Sequence, residues 1–290
     1  MELKLENVNK KYKNKHAIKD VNLNLGYGVY GLLGENGAGK STLMRILCTV
    51  DRQTSGEILF NNEDIFKLGD KYRELIGYMP QEYGVFPSFT ARDYLEYIGY
   101  LKGLTLKELS RKVPEVLEFV NLLDVENNKV KTFSGGMKRR LGIAQAIIND
   151  PKILILDEPT AGLDPKERIR FSNIISDMSK DKLVILSTHI VSDIESIATN
   201  LIILTKGKIK EVEKIDKLVN KLNNIVWEVL VDQQKFSYIE KNYTVVRIKQ
   251  QNGKILVRCV GKNVEVEDKK KVKPTLEDYY MYIGGRTNAV

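Results

Sequence analysis

Cysteine is nearly absent: Cys48 and Cys259 are the only two in 290 residues. Two thiols among apolar neighbours support neither a disulfide framework nor a zinc site, so both are expected to be buried and free. Long apolar runs are missing as well. The longest candidates, Ile153–Leu156 and Leu183–Leu186, are strand-sized and fall far short of the roughly 20 residues that span a bilayer. The opening stretch, MELKLENVNKKYK, has no apolar segment of the kind a signal peptide carries. A cytoplasmic location follows as an expectation, with any membrane contact made through a partner. No internal repeat or low-complexity tract is evident, which argues against a repeat architecture.

What is present fits a globular chain long enough for more than one domain, with 42% hydrophobic and 29% charged residues. The net charge of +8 admits nucleic acid or an anionic membrane surface as partners. Lysine is nevertheless spread along the chain together with much Asn and Ile, which reads as compositional bias, and no nucleic-acid partner is expected. The one dense cluster, Lys269–Lys273, follows Glu265, Glu267 and Asp268 and is expected to be a solvated turn.

The stretch that organises the chain is Gly31–Thr42, GLLGENGAGKST, which reads G-x-x-x-x-G-K-[ST] from Gly34 to Ser41. An apolar run, Val29–Leu33, precedes it and a helical run, Thr42–Leu47, follows, so strand, glycine loop and helix come in the order a phosphate-binding loop requires. Phosphates need several donors at short range. Gly34, Gly37 and Gly39, with Asn36 and Ala38 between them, free the backbone N–H groups to approach, and the new helix aims its unpaired N–H groups at the anion. Lys40 would reach the β- and γ-phosphates, the Ser41 hydroxyl would ligate Mg²⁺, and Thr42 continues the helix start. A nucleoside triphosphate is the expected ligand.

Alternation predicts strands at Met1–Val8, with Leu3, Leu5 and Val8 inward, and at Ile18–Leu25, with Tyr12 in a polar turn between them. Further strands are expected at Glu57–Phe60 and Ile76–Met79. Thr90–Leu101 is expected to be an amphipathic helix capped by Thr90, with Tyr94, Tyr97, Ile98 and Leu101 on its inner face. Leu106–Val120 is interrupted by Pro114, a candidate start of a new helix. With Ser134–Ile148 these form a helical lobe over about 85–150. Ile153–Leu156 is a buried strand ending in Asp157 and Glu158. Asp164-Pro165-Lys166-Glu167 starts a helix that carries Phe171, Ile174, Ile175 and Met178 inward, and Leu183–Ser187 is a strand closed by Thr188-His189. Strand and helix then alternate to Leu201–Leu204, the pattern of a largely parallel sheet covered by helices. The pattern breaks over Gly207–Lys217. Beyond it, alternation at Ile225–Val231 and Thr244–Ile248, the Gln251-Asn252-Gly253 hairpin signal before Ile255, Val257 and Cys259, and a short helix at Pro274–Glu277 describe a small appended α+β unit. The expected boundaries are 1–213 and 214–290.

At Ser134-Gly135-Gly136, followed by Asp157-Glu158 and His189, the sequence resembles the ATP-binding subunit of an ABC transporter, over about Leu3 to Lys210. The resemblance implies an α/β P-loop ABC-type ATPase core with ATP and Mg²⁺ as ligands. It implies that Tyr12 stacks on adenine and that Gln81 helps ligate Mg²⁺ or the attacking water and senses a membrane partner. Asp157 would hold the Mg²⁺ shell, Glu158 would polarise the attacking water, and His189 would contact the γ-phosphate. Ser134, Gly135 and Gly136 would open a helix towards the ATP held by an opposite subunit, which is compatible with Ser134 being an ordinary N-cap. Asp164 matches an inter-subunit loop, and an N-cap explains it equally well. Phe133 and Met137 stand where the family more often has leucine and glutamine. His16 matches no motif and is expected at the surface.

The segment Tyr78-Met79-Pro80-Gln81-Glu82-Tyr83, through the Thr90 helix, looks like ATPases of bacterial drug and peptide exporters, the bacitracin-type group included. Those pair with separately encoded integral-membrane subunits as homodimers or heterodimers, at the inner face of the cell membrane. An importer ATPase, or a soluble ABC ATPase acting on nucleic acid, ribosomes or cofactor assembly, stands as the alternative. Residues 214–290 are expected to be a regulatory or dimer-contact module.

Overall fold

The computed structural model describes residues 1–82 and 84–285. Tyr83, part of the exporter-like segment, therefore lies outside the described residues. Contacts divide the chain into two compact units, Met1–Val212 and Glu213–Val290.

The first unit begins with an antiparallel pair, β1 (Leu3–Tyr12) and β2 (Lys15–Leu25), in register from Leu3↔Leu25 to Tyr12↔Lys15. Then come β3 (Gly28–Leu33), α1 (Lys40–Leu47), β4 (Ser55–Phe60), β5 (Glu63–Asp64), α2 (Ile65–Leu68), α3 (Asp70–Glu74) and β6 (Ile76–Met79). Three helices follow, α4 (Ala91–Leu101), α5 (Leu106–Phe119) and α6 (Gly135–Ile147). The unit closes with β7 (Ile153–Asp157), α7 (Pro165–Met178), β8 (Leu183–Thr188), α8 (Val191–Ile197), β9 (Asn200–Thr205) and β10 (Lys208–Lys214). One sheet has the order β2-β1-β4-β5 and the other β10-β9-β3-β8-β7-β6. In the second, β9, β3, β8, β7 and β6 all run parallel. Strands β7 and β8 are buried at every position, which is why they read as unbroken apolar runs instead of alternating. Leu43, Met44 and Leu47 of α1 share one core with Leu3, Leu5 and Ile18 of the first sheet and with Ile155, Ile185 and Ile202 of the second.

Several expectations are corrected. Helix α4 buries Ala91, Tyr94, Leu95 and Gly99, while Tyr97 and Leu101 are 40% and 64% exposed. Gly99 is the reason: a Cβ there would stand 2.3 Å from Leu109 Cδ2, so α5 packs on the seam this glycine opens. Pro114 starts no new helix, because α5 runs through it without interruption. Tyr12 ends strand β1 instead of lying in the turn, and His16 is half-buried, its Nε2 3.0 Å from Asn9 Oδ1. Where the pattern breaks after Lys206, the chain forms β10 beside β9.

The second unit contains α9 (Ile215–Asn220), β11 (Val226–Val231), α10 (Gln233–Asn242), β12 (Thr244–Gln251), β13 (Lys254–Val260), β14 (Lys269–Lys271) and α11 (Leu276–Gly285). Its sheet has the order β12-β13-β11-β14. The Asn252-Gly253 turn has both residues at positive φ, 50° and 75°, as a tight hairpin between paired strands requires. The lysine cluster is an edge strand paired to β11, not a turn, and Lys269 and Lys271 place their ammonium groups 5.3 and 5.2 Å from the Trp227 ring centre. On β12 Val245 packs against the core, as does Tyr243 just before the strand, while Ile248 is 57% exposed; a bulge between Val245 and Arg247 shifts the register there. Both cysteines are buried and free.

Two polar contacts hold elements together in a testable way. Arg258 grips the fully buried Asp278 in a fork, Nε to Oδ1 at 2.8 Å and Nη2 to Oδ2 at 2.7 Å, and Asp278 Oδ2 also accepts from Thr275 N at 2.7 Å. Asp278→Ala leaves a guanidinium without its buried partner and is expected to cost about 3–5 kcal/mol, read as a lower urea midpoint for the second unit. In the first unit Lys102 joins the helical lobe to the sheet through Asn149 Oδ1 at 2.7 Å and Ile76 O at 3.2 Å, and burial lowers its pKa to about 8. Between that value and the ordinary 10.5 the unfolded chain holds the extra proton. Stability is therefore expected to rise as pH climbs through this window, and Lys102→Met to abolish the rise in urea titrations at pH 7.5 and 9.5.

Candidate functional site

Because β3, β8, β7 and β6 are neighbours running the same way, the segments that leave their C-terminal ends meet at one edge of the sheet. From β3 the chain enters the glycine loop, where Gly39 adopts φ 112°, a left-handed conformation that a side chain would strain. Helix α1 starts at once, with no side chain capping its first turn, so its leading N–H groups are available to a ligand. From β6 comes Gln81, from β7 Glu158 and from β8 His189.

These segments enclose a cavity of about 290 Å³. Asn36, Gly37, Gly39, Lys40, Ser41 and Thr42 form one wall, Gln81, Glu158 and His189 the other, and Lys15, Ala17 and Ala161 complete it. Lys40 is only 7% exposed and donates to the carbonyls of Gly34 (2.7 Å) and Glu35 (3.4 Å), with Glu158 Oε1 3.9 Å away. The other carboxylate oxygen of Glu158 lies 3.0 Å from His189 Nδ1. Glu158 thus bridges the loop lysine and the histidine while being 6% exposed. Its backbone sits at φ 50°, an uncommon conformation for a residue with a side chain, and its N–H donates to Ser187 Oγ at 3.0 Å. The same hydroxyl donates to Asp157 Oδ1 at 2.5 Å, so one serine ties the two carboxylate residues together.

Other expected residues lie elsewhere. Gly34 contributes its carbonyl to Lys40, and buried Ala38 accepts from Gly207 N at 2.9 Å, behind the loop. The Tyr12 ring is not part of the cavity wall. Its hydroxyl donates to Asp51, which is paired with Lys10 at 2.5 Å, and Lys10 Nζ stands 4.7 Å from the ring centre. Ser134 and Asp164 do not line the cavity either. Ser134 Oγ accepts from Met137 N at 3.1 Å and Asp164 Oδ1 from Glu167 N at 2.9 Å, so both cap helices, and Gly135 and Gly136 open α6 beside Ser134. An ion pair between Arg140 and Glu167 (3.2 Å) links α6 to α7, and Arg139 donates to Gln81 O at 2.9 Å.

Ser187, Lys15, Ala17 and Ala161 were missed by sequence reasoning; their residue types carry no motif, and only the pairing of strands brings them here. Among the described residues no group of three or more His, Cys, Asp or Glu side chains could hold a metal alone. The Ser41 hydroxyl and Gln81 amide line the cavity, while the Asp157 carboxylate, 2% exposed and held by Ser187, lies behind Glu158 outside the lining; all three are hard oxygen donors of the kind that suits Mg²⁺ when phosphates and water supply its remaining ligands.

The ABC transporter family profile matches residues 18–161. The chain is 32% identical to the bacitracin transport ATP-binding protein BcrA of Bacillus licheniformis, covering 98% of both chains. It is 36% identical to the linearmycin resistance ATP-binding protein LnrL of Bacillus subtilis, over 71% of this chain and 67% of that one. It is 41% identical to ABC transporter A family member 8 of Dictyostelium discoideum, where the match spans 67% of this chain but 23% of the relative. A bacterial ABC transporter cassette solved as a dimer superposes with a TM-score of 0.67 and 29% identity, covering 73% of this chain and 98% of that one. The same cassette has been solved in a post-hydrolysis state bound to ADP and Pi, with the same TM-score and identity. Among the described residues no helix is long and apolar enough to cross a membrane. With the glycine loop, the carboxylates and the histidine at one sheet edge and relatives matched from end to end, the chain belongs to the ABC transporter family, as one of its ATP-binding ATPase subunits.

Proposed function

We propose that the cavity at the sheet edge hydrolyses ATP and that the chain works as a dimer around two ATP, driving a separate membrane subunit that exports drugs or peptides. The carrying observation is the bridge Lys40–Glu158–His189 over the glycine loop. In the hydrolytic step Lys40 leaves the Gly34 carbonyl for the β- and γ-phosphates, and the α1 N–H groups hold the chain of phosphates. Glu158, oriented by His189, accepts a proton from water as that water's oxygen bonds to the γ-phosphorus and the bond to the ADP oxygen breaks, giving ADP and phosphate. Mg²⁺, held by Ser41, Gln81 and Asp157, would neutralise phosphate charge. Glu158→Gln is expected to keep ATP binding and lower phosphate release by about 10²–10⁴-fold; an unchanged rate would remove Glu158 from this role.

The dimer is supported by what one chain leaves open. Ser134, Gly135 and Gly136 start a helix away from their own cavity, as residues that complete a second copy's site would. Tyr12 serves the adenine, and Asp164 belongs to the same contact. The Glu158→Gln variant with ATP and Mg²⁺ is expected to elute at twice the monomer mass, and Ser134→Arg to prevent this.

A membrane partner is supported by exposed apolar side chains on the helical lobe: Phe86 (45%), Tyr97 (40%), Tyr100 (66%), Leu101 (64%) and Leu106 (78%). Export is supported by the names of relatives, which include bacitracin transport, linearmycin resistance and Nod factor export. The location is then the cytoplasmic face of the membrane. Pull-down of ATP-bound Glu158→Gln from solubilised membranes is expected to recover a multi-span protein in near-equal amount; recovery of RNA or ribosomes without one would favour a soluble ABC ATPase. Residues 214–290 act as a regulatory or dimer-contact module, and their removal is expected to alter dimerisation, ATPase rate or transport.

A further inference from the structure

We propose that Lys15 is a second phosphate-contacting cation of the nucleotide site, acting from the rim opposite Lys40; this rests on the reading of the cavity as an ATP site. Lys15 opens β2 directly across from Tyr12 in the hairpin, and its side chain lines the cavity together with Gly37, Lys40 and Ser41. Its Nζ stands 4.0 Å from the point that a Cβ on Gly37 would occupy, so the ammonium hangs over the glycine loop itself.

Two cations near the site are already engaged. Lys10 is paired with Asp51 at 2.5 Å, and Lys40 is held by the loop carbonyls. Lys15, in contrast, makes no ion pair or side-chain hydrogen bond among the described residues. A surface lysine with no structural task normally extends into water. This one leans across a cavity whose other wall offers backbone N–H groups, and the bare Gly37 leaves the space between them open. A polyanionic phosphate chain lying on the loop would fall between two ammonium groups, Lys40 reaching it from the buried side and Lys15 from the solvent side. Charge-assisted contacts of this kind are the stronger class of hydrogen bond, and their loss on exposed ground is salt-dependent.

The test is calorimetric titration of ATP into the full chain and into Lys15→Met, Lys15→Arg and Lys40→Met at low and high salt, with the ligand-free melting temperature of each. Lys15→Met is expected to weaken ATP binding roughly five- to tenfold and to flatten its salt dependence. Lys15→Arg should restore most of the loss, and the ligand-free melting temperature should stay unchanged in both. If Lys15→Met binds ATP like the wild type at both salts while Lys40→Met does not, the Lys15 assignment is wrong and the ATP site stands. If the unmodified chain binds no ATP, the reading of the cavity falls, and the Lys15 assignment with it.

Discussion

Strand direction is the constraint on which the site depends. Parallel pairing of β3, β8, β7 and β6 delivers the glycine loop, His189, Glu158 and Gln81 to one edge although they are spread over more than half of the chain. No two of them are close in sequence. Reversing any one of these strands would send its terminal group to the far edge. The apolar runs that make β7 and β8 fully buried therefore act on chemistry indirectly, by leaving the strands no partly solvated alternative.

Within that frame the cavity satisfies its own charges. A buried ammonium needs oxygen partners, and Lys40 takes them from its own loop; a buried carboxylate needs partners too, and Glu158 has His189 within hydrogen-bond distance and the Lys40 charge 3.9 Å away. The left-handed backbone at Glu158 is held by Ser187, whose hydroxyl engages Asp157 and Glu158 at once. Strain at one residue is thus fixed by the adjacent strand.

Much of this was legible because several demands on the same residues agree. The loop from Gly34 to Ser41 has motif, strand and helix in sequence, and Asp164-Pro165 has cap, proline and acid in the order a helix start needs. Elsewhere the sequence was silent or misleading for identifiable reasons. Strand β10 has no fully buried position, so it shows no apolar alternation. Helix α10 commits only Ile239 to full burial, too little for a helical period to emerge. The face of α4 was misjudged because four large residues outweighed one glycine, although it is Gly99 that admits the neighbouring helix. Lys15 is one of 46 basic residues, and only the hairpin register singles it out.

The single tryptophan of the chain, Trp227, lies in the second compact unit, flanked by Lys269 and Lys271 and donating through Nε1 to Gly261 O at 2.9 Å. Intrinsic indole emission is therefore a label placed by nature on one unit alone. The ATPase unit has no tryptophan, so indole emission reports on the second unit alone without any added dye. A change in indole emission on adding nucleotide would be direct optical evidence that the two units communicate.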